Sequence, residues 1–281
     1  LRDSGFCERF VGCGHREPSL RRGLELGVID EYTLDLDEAF ELADILVICT
    51  PTLTAASMLE TLLPKLSRSE NPPVITDVAS VKGNLRETAL RVCGAMPPQL
   101  VLGHPIAGSE HSGVEASSAD LFVDHRVILT PEEGNDPGAV ARVRAMWAST
   151  GAEVVEMTVD QHDEVLAATS HLPHVLAYSL VDVLANSDNS DEIFRSAAGG
   201  FRDFTRIASS DPVMWRDIAL ANRDALLRAI DQFAGHLEQL HDAVRDGNGE
   251  QLLDTFTRAK TARDAFAALL ARRSDQTSAG S

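Results

Sequence analysis

His104 lies in the run Leu100-Val-Leu-Gly-His-Pro-Ile-Ala-Gly-Ser-Glu110, directly after a compact apolar stretch. An imidazole at that place can take a proton near neutral pH. Gly103, Pro105 and Gly108 keep a helix from starting, so His104 is expected in a loop where a short buried strand, residues 99–102, ends. Pro105 fixes the backbone there, and the glycines let a ligand approach closely. Ser80, in Asp77-Val-Ala-Ser-Val-Lys82, follows another strand and is expected over the same sheet edge. Its hydroxyl could orient the imidazole or touch a ligand; the plain alternative is an N-cap for the next helix.

In the second half, Thr169-Ser-His-Leu-Pro-His174 sets His171 and His174 about one helical turn apart. Such a pair can bind a metal, but zinc needs a third ligand, and the chain has no H-E-x-x-H and no cysteine cluster. No metal is expected. Gly199-Gly-Phe-Arg-Asp-Phe-Thr-Arg206 then puts Arg202 and Arg206 at i, i+4, on one face of a helix. Two fixed guanidiniums suit a substrate with two carboxylates, unless they pair with Asp203, Asp211 or Asp217 on the surface.

The elements that must hold these groups fall into two kinds. From residue 6 to about 157, strands (9–13, 45–49, 74–76, 99–102, 126–129, 153–157) alternate with helices (18–26, 37–43, 55–66, 138–149, and one ending near Cys93). That alternation predicts an α/β fold, a Rossmann-type doubly wound and mainly parallel sheet. After Asp160 the strands stop. Helical spacing over 162–185, with a kink at Pro173, and over 193–209, 213–241 and 250–270 predicts an all-helical half that buries its apolar stripes against itself or a second subunit. The expected division is a dinucleotide-binding domain over 1–158, a helical substrate and dimerisation domain over 159–273, and a disordered tail over 274–281.

Composition narrows the partners. A chain of 281 residues with 44% hydrophobic and 24% charged residues suits two globular domains. A net charge of −18 argues against nucleic acid or an anionic membrane surface. The apolar runs fall short of the roughly 18 residues of a membrane span. Cys7, Cys13, Cys49 and Cys93 form no C-x-x-C pair and lie in or beside apolar runs, so buried thiols in a reducing cytoplasm are expected. Leu1-Arg-Asp-Ser-Gly5 reads as the last turn of a helix with its C′ glycine, so the chain is expected to open inside an element and to lack the sheet's first strand.

That matters for the cofactor. A doubly wound sheet beside helices suggests a dinucleotide, yet no G-x-G-x-x-G occurs. If 9–13 is the second strand, its end reads Gly12-Cys-Gly-His-Arg16, with Gly14 where a carboxylate would hold the ribose of NAD. His15 and Arg16 could neutralise a 2′-phosphate, or form a solvated turn, so NAD or NADP is expected. Thr50, Pro51 and Thr52 end another strand on the cofactor side, and Asp77 and Ser80 end the next.

Taken together, His104-Pro-Ile-Ala-Gly-Ser-Glu-His-Ser-Gly113, Leu121-Phe122, Val127-Ile-Leu-Thr-Pro131, Ser170-His-Leu-Pro-His174 and Gly200-Phe-Arg-Asp-Phe-Thr-Arg206 with Asp211-Pro-Val-Met-Trp215 resemble the prephenate and arogenate dehydrogenases of tyrosine biosynthesis. The blocks run in the expected order over essentially the whole chain. The resemblance implies NAD(P)-dependent oxidative decarboxylation of prephenate to 4-hydroxyphenylpyruvate in a cytoplasmic homodimer. It implies that His104 deprotonates the ring hydroxyl and that Ser80 positions His104 and the nicotinamide. Arg206 would bind a substrate carboxylate, with Arg202, His174 and Ser170 at the side-chain end, and Glu110 and Asp203 would join a polar network gating the site. Two other readings stay open. A 3-hydroxyacid-dehydrogenase-like enzyme would use a lysine in the helical half, where Lys260 alone sits too near the terminus; a dinucleotide-sensing module would need neither His104 nor the arginines.

Overall fold

A computed structural model describes residues 1–108 and 113–278, with side chains as far as residue 271. Strands and helices alternate in the order β1 (Val11–Cys13), α1 (Glu17–Glu25), β2 (Glu31–Thr33), α2 (Leu36–Leu42), β3 (Ile45–Ile48), α3 (Thr52–Leu66), β4 (Val74–Asp77), α4 (Gly83–Cys93) and β5 (Leu100–Val101). There follow β6 (Gly103–Ile106), β7 (Arg126–Leu129), α5 (Pro137–Ala148) and β8 (Glu153–Glu156).

Side chains in the strands alternate between two cores, as the two-residue period requires. Leu46, Ile48, Ile75 and Leu100 pack with Phe40, Leu59, Leu62 and Leu85 of α2, α3 and α4. Their neighbours Val47, Val74 and Val101 pack with Val143, Met146 and Trp147 of α5. A sheet apolar on both faces must be covered on both, which is the doubly wound arrangement. Hydrogen bonding runs in three ladders: β1 with β2, parallel; β3, β4 and β5, parallel; and β6, β7 and β8, of which β6 and β7 are antiparallel.

The place of His104 corrects the expectation of a loop. After Leu102, which belongs to neither strand, the chain enters the third ladder as β6, where His104 lies opposite Ile128. The antiparallel partner β7 takes up the backbone groups that glycine and proline kept from a helix. Glycine suits position 103, because a Cβ would stand in tight contact, 3.2 Å from Leu129 Cδ2 and 3.3 Å from the Asp77 carbonyl oxygen.

The helical half is more broken than its periodicity suggests. Thr158 and Gln161 form a capping box at the start of α6 (Val159–Leu166). A π-helical turn over Ala167–His171 follows, then α7 (Leu172–Ala185). Pro173 cannot donate to the carbonyl one turn back, and the widened turn before it replaces the expected kink. The helix expected over 193–209 is α8 (Ser190–Ser196) and α9 (Gly199–Thr205), ending in a 3₁₀ turn from Arg206. That expected over 213–241 divides at Asn222 into α10 (Pro212–Ala221) and α11 (Arg223–Arg245). Lastly α12 (Gly249–Ser278) continues past residue 274, where a disordered tail was expected, because the polar residues there are only weaker helix formers.

Two compact units result, Leu1–Leu226 and Leu227–Ser281. The cut falls later than the expected boundary at 158 because α6 packs on α4 and α10 on α3. The cysteines also depart from expectation: Cys13, Cys49 and Cys93 are exposed and Cys7 is half-buried, since Cys13 and Cys49 sit where strands run out at the sheet edge. Among the described residues no helix is long and apolar enough to cross a membrane.

Candidate active site

Three imidazoles gather behind the C-terminal edge of the β3–β4–β5 sheet. His104 Nδ1 lies 2.8 Å from His162 Nε2, and His162 Nδ1 lies 2.7 Å from Asp163 Oδ1. His162 is fully buried and His104 is 8% exposed. Asp163 also accepts the backbone N–H groups of Lys82 (3.0 Å) and Gly83 (2.8 Å), so α6 caps the uncapped start of α4. His171, from the π-helical turn, accepts from the Asn222 amide at 3.0 Å, and that amide also donates to the Asp163 carbonyl at 2.8 Å.

Beside the imidazoles stands a buried ion pair. Lys82 Nζ donates to Asp77 Oδ2 and, at 2.6 Å, to the Gly103 carbonyl. Asp77 accepts from the N–H groups of Ala79 (2.9 Å) and Gly103 (3.1 Å). Both backbone groups of Gly103 are thus gripped by side chains, which fixes the residue that presents His104. Burial pushes the His104 imidazolium well below the usual histidine range, and His162, Lys82 and His171 push the same way. Burial also lowers His171, to about 4. The imidazoles are neutral at pH 7, the form a general base requires.

This arrangement corrects the role expected of Ser80. The partner of the His104 ring is His162, and no bond joins it to Ser80. Asp77 also leaves the cofactor-contacting group, because it is 1% exposed and its oxygens are taken by Lys82, Ala79 and Gly103. Thr52 is buried too, its hydroxyl bonded to Asn84 Oδ1 at 3.3 Å, and Thr50 turns its hydroxyl to Met58 Sδ at 3.6 Å. Pro51 remains exposed at the start of α3.

The residues expected at the ribose end of a dinucleotide lie where β1 ends. A Cβ on Gly14 would come no nearer than 3.8 Å to Leu20, which leaves room for a nucleoside edge. His15 and Arg16 are exposed, with no ion pair among the described residues, and α1 starts without a side-chain cap.

The groups expected at the substrate come from α7, α9 and α10. His174 Nδ1 lies 2.8 Å from the Ser170 carbonyl oxygen, and its ring stacks on Trp215, with centroids 3.4 Å apart. Burial lowers the His174 imidazolium and the nearby Arg206 guanidinium adds to this, against the Ser170 carbonyl. A cavity of about 250 Å³ opens here, lined by His174, Val175, Tyr178, Pro212, Trp215 and Arg216. The Trp215 indole N–H is buried and makes no hydrogen bond among the described residues. Arg206 follows α9 directly, as its C-cap with helical dihedrals, and opens the 3₁₀ turn. Arg202 pairs with Asp203 in solvent, their side chains 79% and 72% exposed. Glu110 lies outside the described residues. No cluster of three metal-ligating side chains occurs among those described.

Sequence reasoning missed His162, Asp163 and Lys82. The signal was faint: His162-Asp163 sits in a capping sequence, and nothing in its spacing says that α6 returns to the sheet edge. A lysine five residues after the strand-ending Asp77 was the better hint, since lysine is rarely placed there unless paired.

Comparison with known proteins bears on this geometry. Residues 1–156 match the nucleotide-binding domain of prephenate dehydrogenase, and residues 158–258 its dimerisation domain. A cyclohexadienyl dehydrogenase of Zymomonas mobilis is 36% identical over 245 residues, covering 86% of this chain and 81% of the relative. A prephenate dehydrogenase of Bacillus subtilis is 38% identical over 258 residues, 92% of this chain and 69% of the relative. The crystal structure of the A. aeolicus prephenate dehydrogenase with hydroxyphenyl propionate and NAD+ superposes with a TM-score of 0.85 at 36% identity, over 94% of this chain and 91% of that one. The chain belongs to the prephenate dehydrogenase family.

Proposed function

We propose that the chain oxidises prephenate, with loss of carbon dioxide, to 4-hydroxyphenylpyruvate, using the sheet edge for NAD(P)+ and the α7–α10 cavity for the substrate's side chain. The observation that carries this is His104, a neutral and nearly buried imidazole held from behind by His162. When bound, the dinucleotide supplies a hydride acceptor for the ring carbon that bears the hydroxyl.

His104 takes the hydroxyl proton as the ring is oxidised and returns it to the ring oxygen once carbon dioxide has left. The reaction is balanced with no net proton lost. The Lys82–Asp77 pair holds Gly103 and so keeps the imidazole in place. Arg206 binds a substrate carboxylate, and the unpartnered Trp215 N–H offers a donor to the same end of the molecule. Ser170, whose carbonyl fixes the His174 ring, contributes through that ring. Half-buried Ser80, exposed Pro51 and the Gly14-His15-Arg16 turn hold the dinucleotide. Because no carboxylate stands at Gly14, we propose that NADP is accepted beside NAD.

In domain terms, residues 1–158 would carry the dinucleotide and 159–273 the substrate and the dimer contact, with the cytoplasm as the compartment. The test is formation of reduced nicotinamide by the chain with prephenate, and in parallel with arogenate, using each cofactor. Reduction that depends on prephenate is expected. Activity on 3-hydroxy acids and none on either cyclohexadiene would mean that the reading is wrong.

A further inference from the structure

His104, His162 and Asp163 form a line of three groups in which only the last has a fixed hydrogen-bonding role. Asp163 is held as a carboxylate: burial raises its pKa, but the His162 ring N–H and the backbone N–H groups of Lys82 and Gly83 bring it below the ordinary value. A carboxylate only accepts. The site is also shaped for it, because a Cβ at Gly83 would lie 2.7 Å from Asp163 Oδ2, so glycine is what lets the carboxylate reach the start of α4.

The consequence follows bond by bond. His162 must place its one neutral proton on Nδ1, facing Asp163 at 2.7 Å. Its Nε2 is then a lone pair and can only accept, so the 2.8 Å contact requires His104 to donate from Nδ1. That leaves the His104 lone pair on Nε2. We propose that Asp163, acting through His162, is a positioning residue that fixes the His104 tautomer with its basic nitrogen, Nε2, free for the substrate hydroxyl. This rests on the oxidation of a ring alcohol proposed above and adds two residues to it.

The same line steadies the charge that catalysis creates. When the substrate O–H bond breaks and the proton arrives on Nε2, the His104 imidazolium can share its Nδ1 proton with His162, which is backed by the Asp163 carboxylate. Among the described residues, the other charged or titratable groups acting on the two rings are Asp77 at the end of β4, Lys82 before α4 and His171 from the turn after α6. Lys82 opposes an imidazolium and the carboxylates favour it, so the balance turns on the His162 bridge.

The test is nitrogen NMR of the chain labelled with ¹⁵N-histidine, which distinguishes protonated from unprotonated ring nitrogens and needs no turnover. In the wild type both His104 and His162 should carry the neutral proton on Nδ1. In Asp163→Asn the Oδ1 position faces both the Lys82 N–H and the His162 Nδ1–H, and the Oδ2 position faces the Gly83 N–H, so the amide N–H₂ meets a donor either way. His162 loses its carboxylate acceptor, and with the amide at Oδ1 its tautomer, and that of His104, should invert. Turnover of prephenate should then fall by about 10²–10⁴-fold with KM little changed, as when the carboxylate behind a catalytic imidazole is neutralised. A wild-type His104 protonated at Nε2, or an Asp163→Asn variant that keeps its turnover, would overturn the proposal. The wild-type spectrum decides even if the variant does not fold. A wild type that keeps the assigned tautomers but ignores prephenate would count against the proposed substrate and leave the tautomer assignment standing.

Discussion

Lys82 and Asp77 form an ion pair that solvent does not reach, with side chains 0% and 1% exposed. Burial lowers the Lys82 ammonium pKa and Asp77 opposes this, so the charge exists because the partner does. Removing one member strands the other. Lys82→Met should therefore cost about 3–5 kcal/mol in a urea titration. By contrast Arg9→Ala, which breaks the exposed pair with Glu31, should cost about 0–1 kcal/mol. A loss at Lys82 as small as that at Arg9 would mean that the pair contributes nothing to holding Gly103.

His104→Asn should keep substrate affinity and lower turnover by about a hundredfold or more, the usual effect of losing a general base. The pH profile should report the same group. Since burial, His162 and Lys82 hold the imidazolium well below the ordinary value near 6.5, kcat/KM should stay level through neutral pH and fall only well below it. A fall centred at or above 6.5 would contradict the neutral imidazole described here.

Acid should destabilise the fold through the same burial. His171 titrates near 4 in the folded chain, against about 6.5 when unfolded. Between these values the unfolded chain binds the extra proton, so stability is complete above about pH 6.5 and declines as pH drops towards 4. For this one group the whole window is worth up to about 3 kcal/mol. Urea midpoints at pH 7.5 and pH 5 should show the loss, and His171→Gln should reduce the difference between them.

The sheet was legible because its strands are short apolar runs bounded by Gly and Pro, and 74–76 and 126–129 match β4 and β7 almost residue for residue. His104 was legible as a type of residue at a type of place. Its strand was not, since β6 exists by pairing with β7 across residues 107–125, and pairing over that distance leaves no local mark. For the same reason the sequence could not show that Asp163 caps α4, which lies some eighty residues earlier in the chain. The breaks in the helical half were hidden because helical periodicity continues through Asn222, and the buried bond of Asn222 to His171 decides the break.

Gly14→Asp tests the cofactor edge. Gly14 has no positive φ, and a Cβ there would make only ordinary van der Waals contact with Leu20, at 3.8 Å, so a carboxylate fits without strain. It would accept from a ribose hydroxyl and repel a 2′-phosphate now faced by His15 and Arg16. The ratio of kcat/KM for NAD over NADP should rise at least tenfold. A wild type that already rejects NADP strongly would show that His15 and Arg16 form only a solvated turn.

The two arginines should separate in kinetics. Arg202 already has a partner in Asp203, and both are solvated, so Arg202→Ala should change the KM for prephenate by no more than about twofold. Arg206 opens the turn after α9 and lies near enough to His174 to depress its imidazolium, placing its charge beside the α7–α10 cavity. In the unliganded chain it is exposed rather than buried, so its contribution is that of a charged hydrogen bond formed on binding, about 1.5–3 kcal/mol. Arg206→Ala should therefore raise the KM for prephenate by roughly ten- to a hundredfold, with circular dichroism unchanged. Substrates lacking the side-chain carboxylate should be affected less than prephenate if that is the group Arg206 holds. Equal effects at 202 and 206 would place both guanidiniums on the substrate, and a KM untouched at 206 would remove Arg206 from the site.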